Sequence, residues 1–277
     1  MNPRKLLVVC ATAFFLYSGD VMSFFGLFDQ QKPADFFDGP VLAFAEAALE
    51  HDENTLKRLR NADVNPNFLG KDRMTPLILA VLKQDRLAIQ MLMRNGADAE
   101  MMIQGVGSAL HVACRDKDTT SLVAMLDAGA NPSLNIGGEP LSFTAVKNDR
   151  IEPIKVLFSR GLSIEARNTS GDTLLIQAIM VNDIEFAGWL IEQGANVHAI
   201  SGFLISAAAS LQSRLNEAGP NSVNTPRYLK LKAMFEARGV TFPVPTRVEL
   251  MKRFGKSKLP LEQVINMDER GEPLQQP

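Results

Sequence analysis

Residues 75–98 read Thr75-Pro76-Leu77-Ile78-Leu79-Ala80-Val81-Leu82-Lys83-Gln84-Asp85-Arg86-Leu87-Ala88-Ile89-Gln90-Met91-Leu92-Met93-Arg94-Asn95-Gly96-Ala97-Asp98. The stretch predicts a helix, a tight turn, a second helix and a glycine stop. Ala80 marks where the first helix approaches its neighbour closely. Asp85 falls between two apolar runs, where a carboxylate can cap the orphan N–H groups of the second helix. Gly96 ends that helix in a left-handed conformation that costs other residues more. The same columns recur along the chain. Gly96, Gly129, Gly161 and Gly194 lie 33, 32 and 33 residues apart, each shortly after an apolar pair: Leu92-Met93, Met125-Leu126, Leu157-Phe158 and Leu190-Ile191. Ala47, Ala80, Ala113, Thr144 and Ala178 form a small-residue column, and Asp52, Asp85, Asp118, Asp149 and Asp183 follow it five residues later. A fixed period of this length is the signature of a repeat architecture.

Thr75-Pro76-Leu77-Ile78-Leu79-Ala80, Ser108-Ala109-Leu110-His111-Val112-Ala113 and Glu139-Pro140-Leu141-Ser142-Phe143-Thr144 resemble the Thr-Pro-Leu-His-x-Ala signature of ankyrin repeats. Gly96-Ala97-Asp98, Gly129-Ala130-Asn131 and Gly194-Ala195-Asn196-Val197 are similar to the Gly-Ala-Asp-Val-Asn close of that family. Thr173-Leu174-Leu175 lacks the Pro, Gly161-Leu162 replaces Gly-Ala, and Asn61 stands where a Gly is expected, without breaking the register. The resemblance implies an all-α solenoid of about six helix-turn-helix units with finger loops over residues 39–241, near 39–70, 71–104, 105–136, 137–168, 169–201 and 202–241. The last unit is expected to carry a polar insertion from Gln212 to Pro226. Residues 242–265 read as a C-terminal capping helix, started by the capping box Thr246-Arg247-Val248-Glu249 and faced by Val248, Met251 and Phe254. Residues 266–277 read as a flexible polar tail.

The 277 residues are 46% hydrophobic, with 29 Lys+Arg against 31 Asp+Glu. That excludes a disordered, collagen-like or disulfide-stapled chain, and its near balance of charge gives no broad field for nucleic acid. Residues 1–28 differ from the rest. Arg4 and Lys5 precede an apolar run from Leu6 to Tyr17, the order of a signal peptide, with a retained membrane anchor as the alternative. Cleavage would fall after Ser23, Cys10 sits in a loose lipoprotein-like context, and Met22 could serve as an internal start. The expected location is the periplasm or an inner-membrane-anchored form facing it, with a second cytosolic form if translation begins at Met22.

Chemistry is sparse. His51, His111 and His198 fall in different repeats, which stack roughly 10 Å apart, so no pair is poised to share a metal. His111 stands where the resemblance implies a structural hydrogen bond at the base of a finger, and Cys114 reads as a small buried hydrophobe. Gly105-Val106-Gly107 is half of a dinucleotide fingerprint without a preceding strand or third Gly. No catalytic residue, cofactor or metal is expected, and the chain reads as a binding protein and not an enzyme.

The resemblance places partner contacts on the fingers and first helices. Carried over position by position, these are Lys71, Asp72, Met74, Leu82, Lys83, Gln104, Arg115, Asp116, Asn135, Ile136, Val146, Lys147, Thr169, Ser170, Asp172, Met180 and Val181, with Met101, Met102 and Ile103 at another finger. Met74, Leu82, Ile136, Val146, Met180 and Val181 are apolar where solvent is expected, which points to a protein interface, unless some of them pack beneath neighbouring fingers. An export signal, six ankyrin units and no catalytic site together resemble the immunity proteins that neutralise secreted phospholipase toxins of type VI secretion systems. That resemblance implies a cognate lipase effector as the protein partner, with the membrane touched only through the N-terminal segment. The alternative is an envelope ankyrin scaffold or stress-related interaction protein without a toxin.

Overall fold

The computed structural model describes residues 30–136, 139–147 and 151–274, apart from the side chains of Ile136 and Lys147. A hydroxyl opens most first helices. Thr75, Ser108, Thr173 and Ser206 accept at their side-chain oxygens from the N–H groups of Ile78, His111, Ile176 and Ala209. Each satisfies a donor that the helix start leaves orphaned. Pro76 at the first turn has no N–H to orphan. The resulting elements are α1 (Gly39–Leu49), α2 (Glu53–Asn61), α3 (Pro76–Leu82), α4 (Arg86–Arg94), α5 (Ala109–Ala113), α6 (Thr120–Asp127), β1 (Asn135–Ile136), β2 (Glu139–Pro140), α7 (Leu141–Lys147), α8 (Ile151–Ser159), α9 (Leu174–Met180), α10 (Ile184–Glu192), α11 (Ala207–Ala218), α12 (Thr225–Glu236), α13 (Arg247–Phe254) and α14 (Leu261–Val264). The strands are an antiparallel pair of two residues each at one finger.

The carboxylate column caps second helices. Asp52, Asp85 and Asp183 each accept the N–H three residues on, from Thr55, Ala88 and Phe186, at 3.0 Å. Asp118 sits one place early: Thr119 is the N-cap of α6, and Asp118 accepts from Thr120 N–H at 2.7 Å. Asp149 lies outside the described residues. The glycine column is left-handed throughout, with φ of 93° at Gly96, 97° at Gly129 and Gly161, and 94° at Gly194.

The helix pairs fall into two units, one made of the described residues up to Leu134 with 151–161, the other of 135–147 with 162–274. In the first, α3 packs on α4 and α5, α4 on α6, and α1 on α2, α3 and α4. Leu77, Leu79, Ile89, Leu92, Leu110 and Leu122 are fully buried there, and burying such a side chain is worth roughly 2 kcal/mol each. Its fingers are tied in series: Asp98 N–H donates to Asn67 Oδ1 at 2.7 Å, and Asn131 N–H to Glu100 Oε1 at 3.0 Å. In the second unit α9 packs on α7, α10 and α11, and α12 on α10 and α11, with Asn196 N–H donating to Glu165 Oε1 at 2.8 Å.

The second unit departs from expectation in three places. The stretch expected as a polar insertion begins as helix, because α11 runs on to Ala218. Its polar side chains have partners: Arg214 Nε donates to Ile179 O at 2.7 Å, and the Gln212 amide exchanges hydrogen bonds with Val244 N–H and O. The capping box at Thr246 and Glu249 forms, but Leu250 is the buried residue of α13 while Val248 faces solvent. Residues 266–274 depart from the expected flexible tail. Met267 bridges Pro273, Leu274 N–H donates to Asn266 O at 2.8 Å, and Glu269 is buried.

Candidate protein-binding surface

The residues expected to meet a partner divide by depth. In the first unit Lys71, Asp72, Met102 and Gln104 are exposed, and Met101, Lys83 and Arg115 are half-buried. Met74, Leu82 and Ile103 belong to the core, Met74 with 6% and Leu82 with 3% of their surface exposed. Arg73 donates to Gln104 O, which joins the Lys71–Asp72 finger to the finger that carries Met102. Arg115 Nη1 donates to Val106 O at 3.1 Å, and the buried Asp116 carboxylate accepts from Gln84 Nε2 at 2.7 Å. These two polar groups hold the finger rather than face outward.

In the second unit Asn135 and Thr169 are exposed and Ser170 is half-buried. Val146 is core, at 6% exposure, and Asp172 is buried, accepting from Asn168 Nδ2 at 3.1 Å. The side chains of Ile136 and Lys147 lie outside the described residues. Met180 and Val181 stand open, at 44% and 45%, where α9 ends. The expectation of solvent-facing apolar side chains thus fails at Met74, Leu82 and Val146, and holds at Met180, Val181 and Met102, the last at 49% exposure. The physical reason is depth. Met74 lies just before α3 and Leu82 is its last residue, and the residues from Pro76 to Leu82 are all buried.

The three histidines and Cys114 are committed to structure. His51 Nε2 bonds the Asp85 carboxylate at 2.9 Å. His111 Nδ1 lies 2.8 Å from Ser108 Oγ in a capping box, and burial, with Arg115 beside it, pushes the His111 pKa down to about 4. His198 Nδ1 pairs with Glu269 at 2.6 Å, and its Nε2 faces Arg238 O at 3.0 Å. Burial pushes the Cys114 thiol up to about 12, far from a reactive thiolate. Among the described residues, no three His, Cys, Asp or Glu side chains gather to hold a metal ion. The arrangement ties these histidines and this cysteine into the repeat framework.

Sequence reasoning missed one group in the second unit, the cations Arg247 and Lys258 against Phe203, with the exposed Lys256 two residues before Lys258. Its signal was present: residues 247–258 carry five basic side chains against one acidic.

Comparison with known proteins agrees with the fold. A family model of three ankyrin repeat copies matches residues 110–201. The B-cell lymphoma 3 protein homolog of Mus musculus is 31% identical over 146 residues, which are 50% of this chain and 32% of that protein. This chain therefore matches about a third of that relative's length. Among solved structures, the ankyrin repeat domain of Bcl-3, described as a unique member of the IkappaB protein family, aligns with a TM-score of 0.60 and 25% identity over 76% of this chain and 91% of that one. The human ASB11 ankyrin repeat domain aligns with a TM-score of 0.53 and 19% identity, covering 75% and 90%, and shares the fold.

Two expectations are corrected. Nothing in these likenesses points to a lipase effector or to a type VI secretion system, so that partner is withdrawn. No helix among the described residues is long and apolar enough to cross a membrane, so the membrane-attached and periplasm-facing placement is withdrawn as well, and residues 1–28, on which it rested, lie outside the described residues. From the repeat columns, the capped helix pairs, the left-handed glycines and these likenesses, the described residues have the ankyrin-repeat fold, with residues 110–201 matching the family's repeats directly.

Proposed function

We propose that this chain is a protein-interaction scaffold whose fingertips and first-helix ends receive a partner protein. One observation carries the reading. The repeats bury most of their apolar side chains in stacking, yet leave Met102, Met180 and Val181 open at the finger and helix-end positions. Exposed, flexible Met beside polar fingers is the composition of an adaptable protein contact. The likeness to other ankyrin domains supports the same class of role, and no toxin partner is invoked.

The test is affinity capture from extracts of the source cell with the full chain as bait, comparing the wild type with the Met102→Asp/Met180→Asp/Val181→Asp variant. All three side chains are near half exposed, so the thermal midpoint should move by no more than about 2–4 °C. Partners identified by mass spectrometry should fall at least about tenfold in the variant, equivalent to losing roughly 1.4 kcal/mol of binding. Retention of every partner by the variant would sink the proposal.

A further inference from the structure

At the fingertips of the second unit three backbone segments lie side by side. Gly202 N–H donates to Ser170 O at 3.0 Å, and Leu259 N–H donates to Gly202 O at 2.8 Å. Glycine permits the approach. A Cβ on Gly171 would stand 2.8 Å from Gly202 N, and one on Gly202 would stand 3.0 Å from Ser170 O and 3.3 Å from Leu259 O. The loop after α13 therefore acts as a third fingertip in the row. It brings the exposed Lys256 and Lys258 alongside the exposed Thr169 finger.

Phe203, half-buried, sits at the middle of this row. Lys258 Nζ lies 4.7 Å from its ring centroid, and Arg247 Nε donates to its carbonyl at 2.9 Å. Arg247 Nη2 also reaches Ser257 O at 3.5 Å, so the start of α13 and the loop beyond its end are fixed around one aromatic ring.

The cations here are uncompensated. Arg253 pairs with Glu272 and Lys252 interacts with the Glu249 charge, but Arg247, Lys256 and Lys258 have no carboxylate at ion-pair distance among the described residues. On α12, by contrast, Arg227 pairs with Glu185 and Lys232 with Glu236. The acids close by in the chain do not neutralise the group. Glu249 accepts from the Thr246 N–H and hydroxyl, Asp172 is buried on Asn168, and Glu262 is exposed to solvent on α14.

We propose that this fingertip row, with Phe203 at its centre, Arg247 and Lys258 against it and the exposed Lys256 on the same loop, docks an acidic peptide segment of a partner protein that carries an apolar side chain for the ring. Clustered cations on a backbone platform fixed by hydrogen bonds steer an anionic segment toward the surface and set its register. Duplex nucleic acid would call for a longer track of phosphate contacts than these few cations supply. The proposal rests on the reading of the chain as an interaction scaffold, and it names the chemistry of one contact.

The test selects a random dodecapeptide display library on the full chain and measures the enriched peptides by fluorescence anisotropy. Enrichment in Asp and Glu with at least one apolar residue is expected. Affinity should fall about tenfold or more in Lys256→Glu/Lys258→Glu, and should weaken as salt rises from about 50 to about 300 mM. The milder pair Lys256→Gln/Lys258→Gln, checked by circular dichroism, carries the same prediction should the reversal disturb folding. Selected peptides without acidic enrichment, or acidic peptides that bind wild type and variants alike, overturn the proposal. So does the selection of no acidic peptide together with lysine-dependent binding to phosphatidylserine vesicles or duplex DNA. None of these results touches the scaffold reading, which is tested at Met102, Met180 and Val181.

Discussion

His198 shows how much a single residue settles. Its two ring nitrogens face two acceptors, the Glu269 carboxylate and the Arg238 carbonyl, an arrangement that favours the doubly protonated ring. The hydrogen bond to Glu269 raises its pKa above the usual 6.5 despite burial, with Asp268 adding in the same direction. Burial works against the Glu269 charge, but the bond from His198, with Arg270 beside it, leaves that carboxyl below its usual 4.5. The Arg238 guanidinium is directed at Ile191 O. A raised histidine stabilises the fold fully below its unfolded pKa and loses that contribution as pH climbs through its folded value. His111 works in the opposite sense. Its folded pKa of about 4 lies below 6.5, so its contribution is present above 6.5 and is lost as pH falls toward 4. Amide exchange, corrected for intrinsic rates, should therefore show α11 and the 198–204 finger loosening on the alkaline side and α5 on the acid side. His198→Ala, which strands a buried carboxylate, should cost roughly 3 kcal/mol, and adding Glu269→Gln should recover much of it. Equal pH profiles in the two units would refute the assignment.

At the scale of the element, the turn between paired helices rests on its caps. Asp85 accepts the Ala88 N–H and also holds His51 from the preceding repeat. Asp85→Ala should cost about 1 kcal/mol in urea denaturation, and His51→Ala, which leaves the cap intact, should cost less. Equal losses would place the strength in the contact with His51 and not in the cap. These caps explain why the fold was legible in the sequence. Glycine, aspartate and small-residue columns each answer a local backbone demand that recurs with the period, so their register gives the helix pairs directly. The surface was less legible. Period alone says which way Met74 or Leu82 leaves its element, but not how deeply the neighbouring repeat covers it. The C-terminal segment hid for another reason. Its order comes from partners remote in sequence, such as His198 for Glu269, and the expected apolar face of α13 holds at Met251 and Phe254 but includes the exposed Val248 and omits Leu250, the residue the helix buries most deeply.

For the whole molecule the question is how the array ends. A repeat stack leaves an apolar face on its last member, and a terminal cap must cover it. Here residues 242–274 do so through one cluster, in which Leu250, Leu259 and Val264 pack with Ile200 and Leu204, flanked by Met251, Phe254 and Met267. Gly271 is fitted to the same cap: its φ is 74°, and a Cβ would stand 2.8 Å from Phe254. Truncation after Thr241 would uncover Ile200 and Leu204 and remove the hydrogen bond from Leu259 N–H to Gly202 O. Because repeats exchange energy mainly with their neighbours, the loss should be graded along the chain. Amide protection should collapse in α11 and α12, fall in α9 and α10, and stay unchanged in α1 to α4, with aggregation at concentrations where the full chain remains dispersed. Leu250→Ala should reproduce the pattern more mildly, at about 3 kcal/mol. Uniform loosening of all helices would instead mean that the chain unfolds as one cooperative body, and unchanged protection in α11 would mean that 242–274 covers nothing the stack needs covered.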